Sequence, residues 1–235
     1  MHRHVGQFGI GLNIEHRVTE EVLRENTLYP LAQALGRLAL STNYTPTVRW
    51  KICLQCVIED IEKHGTSYIH RRNLLPAITH CSLHATPLHV KCPSCLEPIT
   101  IHKLSNFEKC RNFFPKTPPT FRSSHHMFAI FVSDLLSYND KPFISKAVDH
   151  RVFEKLVATL YNGDYSQAYY NIIIDANKAL GARIRSNRLE GISLNACSIL
   201  AFLAYQTSEA YLDAMTNVGE RSPRGFLMSS RSTKT

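Results

Sequence analysis

The chain has 235 residues, 44% hydrophobic and 20% charged, with 10 Gly, 11 Pro and 9% aromatics. This is the composition of one or two modest globular domains and excludes a collagen-like, purely coiled-coil or wholly disordered chain. Its 27 basic and 19 acidic residues leave +8 with His neutral, a balance that suits an anionic partner, nucleic acid being the commonest.

The excess is spread along the chain: 5 basic and 4 acidic groups in 1–50, 8 and 5 in 51–115, 14 and 10 in 116–235. No segment owns the charge, so position must decide. Met1 to His16 lacks the continuous apolar stretch of a secretion signal. The longest apolar run, Ala196 to Tyr205, is too short to span a bilayer. The expectation is a cytoplasmic, nucleoid-associated protein with no membrane partner.

Six of the seven cysteines fall between positions 53 and 110. In a reducing compartment such clustering points to metal rather than disulfides. The order is Cys53-x2-Cys56, then 24 residues, then Cys81-x2-His84, Cys92-x2-Cys95 and Cys110. A two-residue gap lets a tight turn aim both ligand atoms at one ion, and two such knuckles complete a tetrahedron. Cys53, Cys56, Cys81 and His84 therefore read as one closed structural zinc site. A redox dithiol at Cys53/Cys56 and buried unligated cysteines are the alternatives. The 24-residue insertion should carry a small hairpin or helix.

Cys92, Cys95 and Cys110 supply three ligands of a second site. Three residues beyond Cys110, where a partner is expected, stands Phe113. His102 is one substitute and His125 or His126 another; a degenerate, empty site is the remaining alternative. Tyr68, Leu75, Ile78 and Leu88 are candidates for an apolar cluster around the metal. Arg71, Arg72 and Lys91 are candidate phosphate contacts at the module's edge, with a solvated face as the alternative for each. Glu59 and Asp60 are given no acid or base role.

Residues 111–126 hold three prolines without sustained period and read as a linker. Beyond it the pattern is helical: Met127 to Leu136, then a face formed by Val152, Leu156, Val157 and Leu160, then a break at Asn162-Gly163-Asp164. A helix is predicted from Tyr165 to Leu180, capped by Asp164 and stopped by Gly181. The next is predicted to start at Asn187, where Glu190 has capping-box spacing, and its body through Leu194, Ile199, Leu203 and Tyr205 should be buried. The joint from Gly181 to Ser186 can be read as a helix-turn-helix. Lys178, Arg183, Arg185 and Arg188 cluster there as candidate DNA contacts, against the alternative of a solvated basic turn. Arg221 to Thr235 reads as a basic disordered tail.

The stretch Cys53-x2-Cys56-x2-Glu59-Asp60, Gly65-x2-Tyr68-Ile69-His70-Arg71, Leu75-Pro76-Ala77-Ile78-x2-Cys81-x2-His84-x3-Leu88-x3-Cys92-Pro93-x-Cys95 resembles the TniQ/TnsD family. That family comprises target-site selectors of bacterial transposons with multi-subunit transposases. Glu25 to Pro30 resembles the family's segment before the knuckles, and Ala179-Leu180-Gly181 with Ile184 is a weaker likeness to a later helix pair. Ile69, Asn73-Leu74 and Ala77 depart from the family's usual Trp, His-Gln and Gly, and the amino-terminal segment is short.

The resemblance implies a non-enzymatic adaptor that binds double-stranded DNA, or a CRISPR-type or other targeting complex already on DNA. It also implies recruitment of an AAA+ transposition regulator (TnsC-like). The alternative is a zinc-stapled protein-interaction scaffold that leaves DNA to a partner. No Walker A loop or Gly-x-Ser-x-Gly elbow is present in the sequence. The expected fold is mainly α with small zinc-ribbon or knuckle modules and a helix-turn-helix-like carboxy-terminal half. Its parts are 1–110 (zinc module 51–110), a linker 111–126, a helical domain 127–220 and a tail 221–235. The expected cofactor is Zn2+, at the first site and, if a fourth ligand is found, at the second.

Overall fold

A computed structural model describes residues 19–38, 50–180 and 193–217. Nine α-helices occur among them and no β-strand. Thr19 caps α1 (Glu20–Asn26) by accepting from the Val22 N–H at 3.3 Å, and Glu20 and Glu21 sit at the positive end of the helix dipole. The short α2 (Tyr29–Ala34) carries Pro30 in its first turn, where a missing N–H is harmless.

After a Cys/His-rich region containing α3 (Leu54–His64) and α4 (Phe107–Cys110) come α5 (Ser124–Leu135) and α6 (Ser145–Leu160). They are followed by α7 (Tyr165–Leu180), α8 (Leu194–Tyr205) and α9 (Ser208–Thr216). Ser123, Ser193 and Thr207 cap α5, α8 and α9 by the same side-chain device.

The main core is built on α8, which is apolar nearly all round and touches α5, α6, α7 and α9. Phe128 and Phe131 of α5 meet Phe202 of α8 at ring separations of 5.4 and 5.7 Å, and Phe131 meets Tyr211 of α9 at 5.9 Å. The buried Tyr211 hydroxyl donates to the Ala34 carbonyl at 2.6 Å, which ties α9 to α2.

The same core contains Leu28, Leu31 and Leu35 from the amino-terminal side, and Leu74, Leu75 and Ile78 from the middle of the Cys/His-rich region. Segments before and after 111–126 thus share one apolar interior. Residues 111–126 themselves start in a 3-10 turn, Arg111–Phe113, and end in the first turn of α5. Between these, Thr120 donates to the Ala85 carbonyl through its N–H (2.9 Å) and its hydroxyl (3.0 Å).

Three expectations are corrected. The helix placed from Asn187 begins, among the described residues, at Leu194: Ser193 has extended backbone (φ −64, ψ 156) and its side chain takes the Ala196 N–H. Leu160 is exposed, while Val152, Leu156 and Val157 are buried as expected. Leu75 and Ile78 pack into the helical core, and Tyr68 is 46% exposed, so they form no cluster around the metal ligands; Leu88 alone touches them. The helix at Tyr165–Leu180 has the predicted bounds. The joint 181–186, with Arg183 and Arg185, as well as Arg188 and the tail 221–235, lie outside the described residues.

A buried polar group joins α2, α6 and α8. The Arg37 guanidinium donates to Cys197 Sγ at 2.8 Å and Ser145 Oγ at 2.6 Å, and pairs with Asp149. Gly36 permits this approach. It has φ +64, and a Cβ there would lie 2.9 Å from both the Phe143 carbonyl oxygen and the Ser145 nitrogen. Gly36→Ala should therefore lose about 2–4 kcal/mol, from the left-handed backbone and the overpacking together. Thermal or denaturant unfolding checks it, and a loss below about 0.5 kcal/mol would contradict the close approach.

Candidate metal centres

The Cys/His-rich region begins where Ile52 pairs with His89 in an antiparallel bridge, which sets Cys53 beside the second half of the module. Cys53 is the N-cap of α3 and Cys56 lies in its first turn. The first Cys-x2-Cys is thus a helix start rather than a free turn, and the insertion before Cys81 carries the expected helix. Gly65 ends that helix with φ 73.

The other two knuckles are copies of one another. Cys81 N–H donates to the Thr86 carbonyl (2.9 Å) and Ala85 N–H to the Cys81 carbonyl (3.0 Å). Cys92 N–H donates to the Glu97 carbonyl (2.8 Å) and Leu96 N–H to the Cys92 carbonyl (2.8 Å). Each is closed by an antiparallel bridge, His80 with Pro87 and Lys91 with Pro98. Each also turns on a left-handed residue after its second ligand, Ala85 (φ 54) and Leu96 (φ 64).

Four ligand atoms converge at each of two places. Cys53, Cys56, Cys81 and His84 form one group, and Cys92, Cys95, His102 and Cys110 the other, each with its atoms within 4.8 Å of one another. In the first, His84 Nδ1 stands 3.4, 3.3 and 3.6 Å from the sulfurs of Cys53, Cys56 and Cys81, and Cys56 Sγ lies 3.6 Å from Cys81 Sγ. Ligands at zinc distances on a regular tetrahedron would be about 3.8 Å apart between sulfurs and about 3.5 Å between sulfur and nitrogen. The residues present fit a four-coordinate ion, with no position left over for a reacting water.

The imidazole is oriented by a carboxylate. His84 Nε2–H donates to Glu59 Oε1 at 2.9 Å, which leaves Nδ1 free as the ligand. Sequence reading gives Glu59 no role, yet its place three residues after Cys56 puts it on the same face of α3. Arg72 Nη2 donates to Cys56 Sγ at 3.4 Å, and Thr86 Oγ1 stands 3.4 Å from Cys53 Sγ. Without an ion, Cys53 is the thiol that deprotonates first: hydrogen bonds from Cys56 and Cys81 hold it well below the ordinary range. Cys56 and Cys81 are raised, chiefly because they share those hydrogen bonds with Cys53.

At the second centre the side chain that converges with the three cysteines is His102, one of the candidates left open by the sequence. Its Nδ1–H donates to the Lys103 carbonyl at 2.9 Å, and its Nε2 lies 3.6 Å from Cys110 Sγ. The ring stacks on the buried Phe107, centroids 4.2 Å apart. His125 and His126 are engaged elsewhere. His126 reaches the Ser82 carbonyl through Nε2 (3.2 Å), and His125 stacks on His80 at 5.4 Å. Cys95 is exposed and Cys110 half-buried, so this centre stands nearer solvent than the first. Burial, with Cys92 next, raises the Cys110 thiol to about 11.

A small core of Ile52, Leu54, Val57, Ile61, Ile99 and Phe107 lies between the centres. Leu54, Val57 and Ile61 form one stripe of α3.

Of the expected DNA contacts, Arg71 is turned inward. Its guanidinium donates to the carbonyls of Arg24, Thr27 and Leu136, tying α1 to the end of α5. Arg72 is half-buried on the Cys56 sulfur. The Arg71 guanidinium is thus taken up by carbonyls, whereas Arg72 makes one contact, to the Cys56 sulfur, and its buried Nε has no partner among the described residues. Lys178 is exposed near the end of α7, and Lys91 is exposed beside Cys92.

No helix among the described residues is long and apolar enough to cross a membrane. No family model, curated protein or solved structure matches the chain. Fold and sites define a class all the same: a helical protein with two knuckle-built Cys3His centres that can hold metal ions.

Native mass spectrometry should find two ions per chain. His102→Ala should leave one, whereas His125→Ala and His126→Ala should leave two; two ions in the His102 variant would displace it as a ligand. Glu59→Ala should weaken metal retention at the first centre about 10–100-fold against a chelator and leave the second unchanged.

Proposed function

We propose that this protein is a zinc-stabilised DNA-binding adaptor of transposition, which recognises a DNA site or a guide complex on DNA and recruits an AAA+ regulator. The carrying observation is the pair of closed Cys3His centres, folded from the same ordered run of knuckles that resembles the TniQ/TnsD family. Zinc is the ion that this donor set favours, because three thiolates and an imidazole in a tetrahedron suit a borderline-soft cation without geometric preference. Cys53, Cys56, Cys81 and His84 would hold one ion, and Cys92, Cys95, His102 and Cys110 the other. Each ion would supply structural cross-linking and no chemistry of turnover.

The net charge of +8 supports an anionic partner. The rival reading, a scaffold whose partner touches the DNA, draws on the inward commitment of Arg71 and Arg72.

The two readings diverge in a binding titration on labelled duplex with purified metal-loaded protein. The adaptor should bind DNA directly. If about four phosphates are neutralised, it should lose about 100-fold in affinity between roughly 50 and roughly 200 mM salt. Absence of any binding, with co-purification of an AAA+ ATPase, would establish the scaffold instead.

A further inference from the structure

The two centres share a ligand set but differ in what surrounds them. Residues 52–85, which build most of the first, carry three basic groups (Lys63, Arg71, Arg72) and three acidic ones (Glu59, Asp60, Glu62). Two of those basic groups, the arginines, are turned inward. Residues 86–116, which build the second, carry five basic groups and two acidic ones, Glu97 and Glu108.

Their placement is not scattered. Lys91 precedes Cys92, Lys103 follows His102, and Lys109 precedes Cys110. Consecutive Cα atoms lie about 3.8 Å apart, so three lysines start one residue from ligands that meet at a single point. All three are exposed, and among the described residues none is in an ion pair; Arg111 alone is paired, with Glu108 at 2.8 Å.

A metal does not demand this arrangement. Three thiolates and a divalent ion leave each filled centre with the same single negative charge, yet at the first the one cation among the described residues hydrogen-bonded to a ligand sulfur is half-buried Arg72. Around the second the cations face solvent. Large apolar side chains stand exposed beside them: Leu96 (71%) follows Cys95, Ile101 (67%) precedes His102, and Phe113 (75%) lies three residues past Cys110. Unpaired lysines among exposed apolar groups match a duplex, whose phosphates take the cations while sugars and base edges take the apolar contacts.

We infer that the face around the second metal centre, centred on Lys91, Lys103 and Lys109, is where duplex DNA is held. Arg71 and Arg72 take no part. The inference rests on the DNA-binding reading above and assigns it a surface. The second metal then has a specific role, because it gathers lysines from three separate stretches of chain around one point. The local sequence of any one stretch does not provide such a group.

The test measures fluorescence anisotropy of a labelled duplex across a salt series with full-length, metal-loaded protein. It compares wild type, the triple variant Lys91→Gln/Lys103→Gln/Lys109→Gln, and a control Lys146→Gln/Lys155→Gln on the exposed face of α6. Two bound ions per chain and an unchanged circular dichroism spectrum establish that each variant is folded.

The triple variant should bind at least about 10-fold more weakly, with a salt slope shallower by about 2.7, or about 0.9 for each phosphate no longer neutralised. The control should match wild type. Phe113→Ala should weaken binding without changing the slope. Wild-type affinity and slope in the triple variant would overturn this surface and leave the DNA-binding reading standing. A wild-type protein that binds no duplex would overturn both. Capture of an acidic peptide that the triple variant loses would then reassign the lysines to a protein partner.

Discussion

Three sulfurs and an imidazole nitrogen packed at mutual contact distance are a poor arrangement without a cation. Each further deprotonation adds a negative charge to a buried cluster, and each retained proton occupies a position where a ligand lone pair is wanted. At the first centre this conflict is visible in the thiols: Cys53 gives up its proton readily, while Cys56 and Cys81 are pushed the other way. A divalent ion resolves it by replacing the shared protons. The favourable binding energy then becomes folding energy for the chain around it. The module needs that contribution, because its own apolar core amounts to one stripe of α3 and a few residues beneath the second knuckle.

The consequences reach beyond the module, because the Cys/His-rich region also holds the helical body together. Leu75 and Ile78 come from the segment between Cys56 and Cys81, yet pack into the core around α8. The backbone of that segment is fixed from both sides. Buried Lys51 donates to the carbonyls of Leu75 and Ile78, and Asn195 of α8 accepts the Ala77 N–H at 2.9 Å. Arg71 bridges α1 and α5 from the 3-10 turn just before it. On the other flank, Thr120 and His126 tether the approach to α5 to the Cys81 knuckle. An ion held at the first centre would therefore steady contacts on which α1, α5 and α8 rely, not merely a peripheral finger.

What the sequence reveals follows the range of the interaction responsible. The ligands are legible because a Cys-x2-Cys or Cys-x2-His spacing is a local geometric statement. The helix from Tyr165 to Leu180 is legible because its apolar positions and terminal breakers lie within its own length. Proximity along the chain points Leu75 and Ile78 toward the metal, but the larger apolar surface of α5 and α8 takes them instead. Arg71 looks like a surface cation until three carbonyls from other segments surround it. The start of α8 hides behind an attractive capping pair at Asn187 and Glu190, with the working cap, Ser193, a few residues later. Glu59 is within reach of sequence reasoning: a carboxylate three residues beyond a ligand on the same helix is placed to steady an imidazole arriving from the opposite knuckle.

The difference between the centres has a physical logic of its own. The first is assembled from ligands 25 to 31 residues apart, buried and steadied by Glu59, Thr86 and Arg72. The second is assembled from one knuckle, the turn after it and the end of α4, with Cys95 in solvent and an imidazole held by a neighbouring carbonyl and by Phe107. A centre that organises the core must be shielded, because water at its ligands competes with the packing it supports. A centre that organises a surface must lie near solvent, because the side chains it gathers have to reach a partner. The left-handed turn after each knuckle expresses the same division: Ala85 is buried against the body of the protein, and Leu96, at the matching position, projects outward. On the proposed reading, one local fold, used twice, serves cohesion in the first case and presentation in the second.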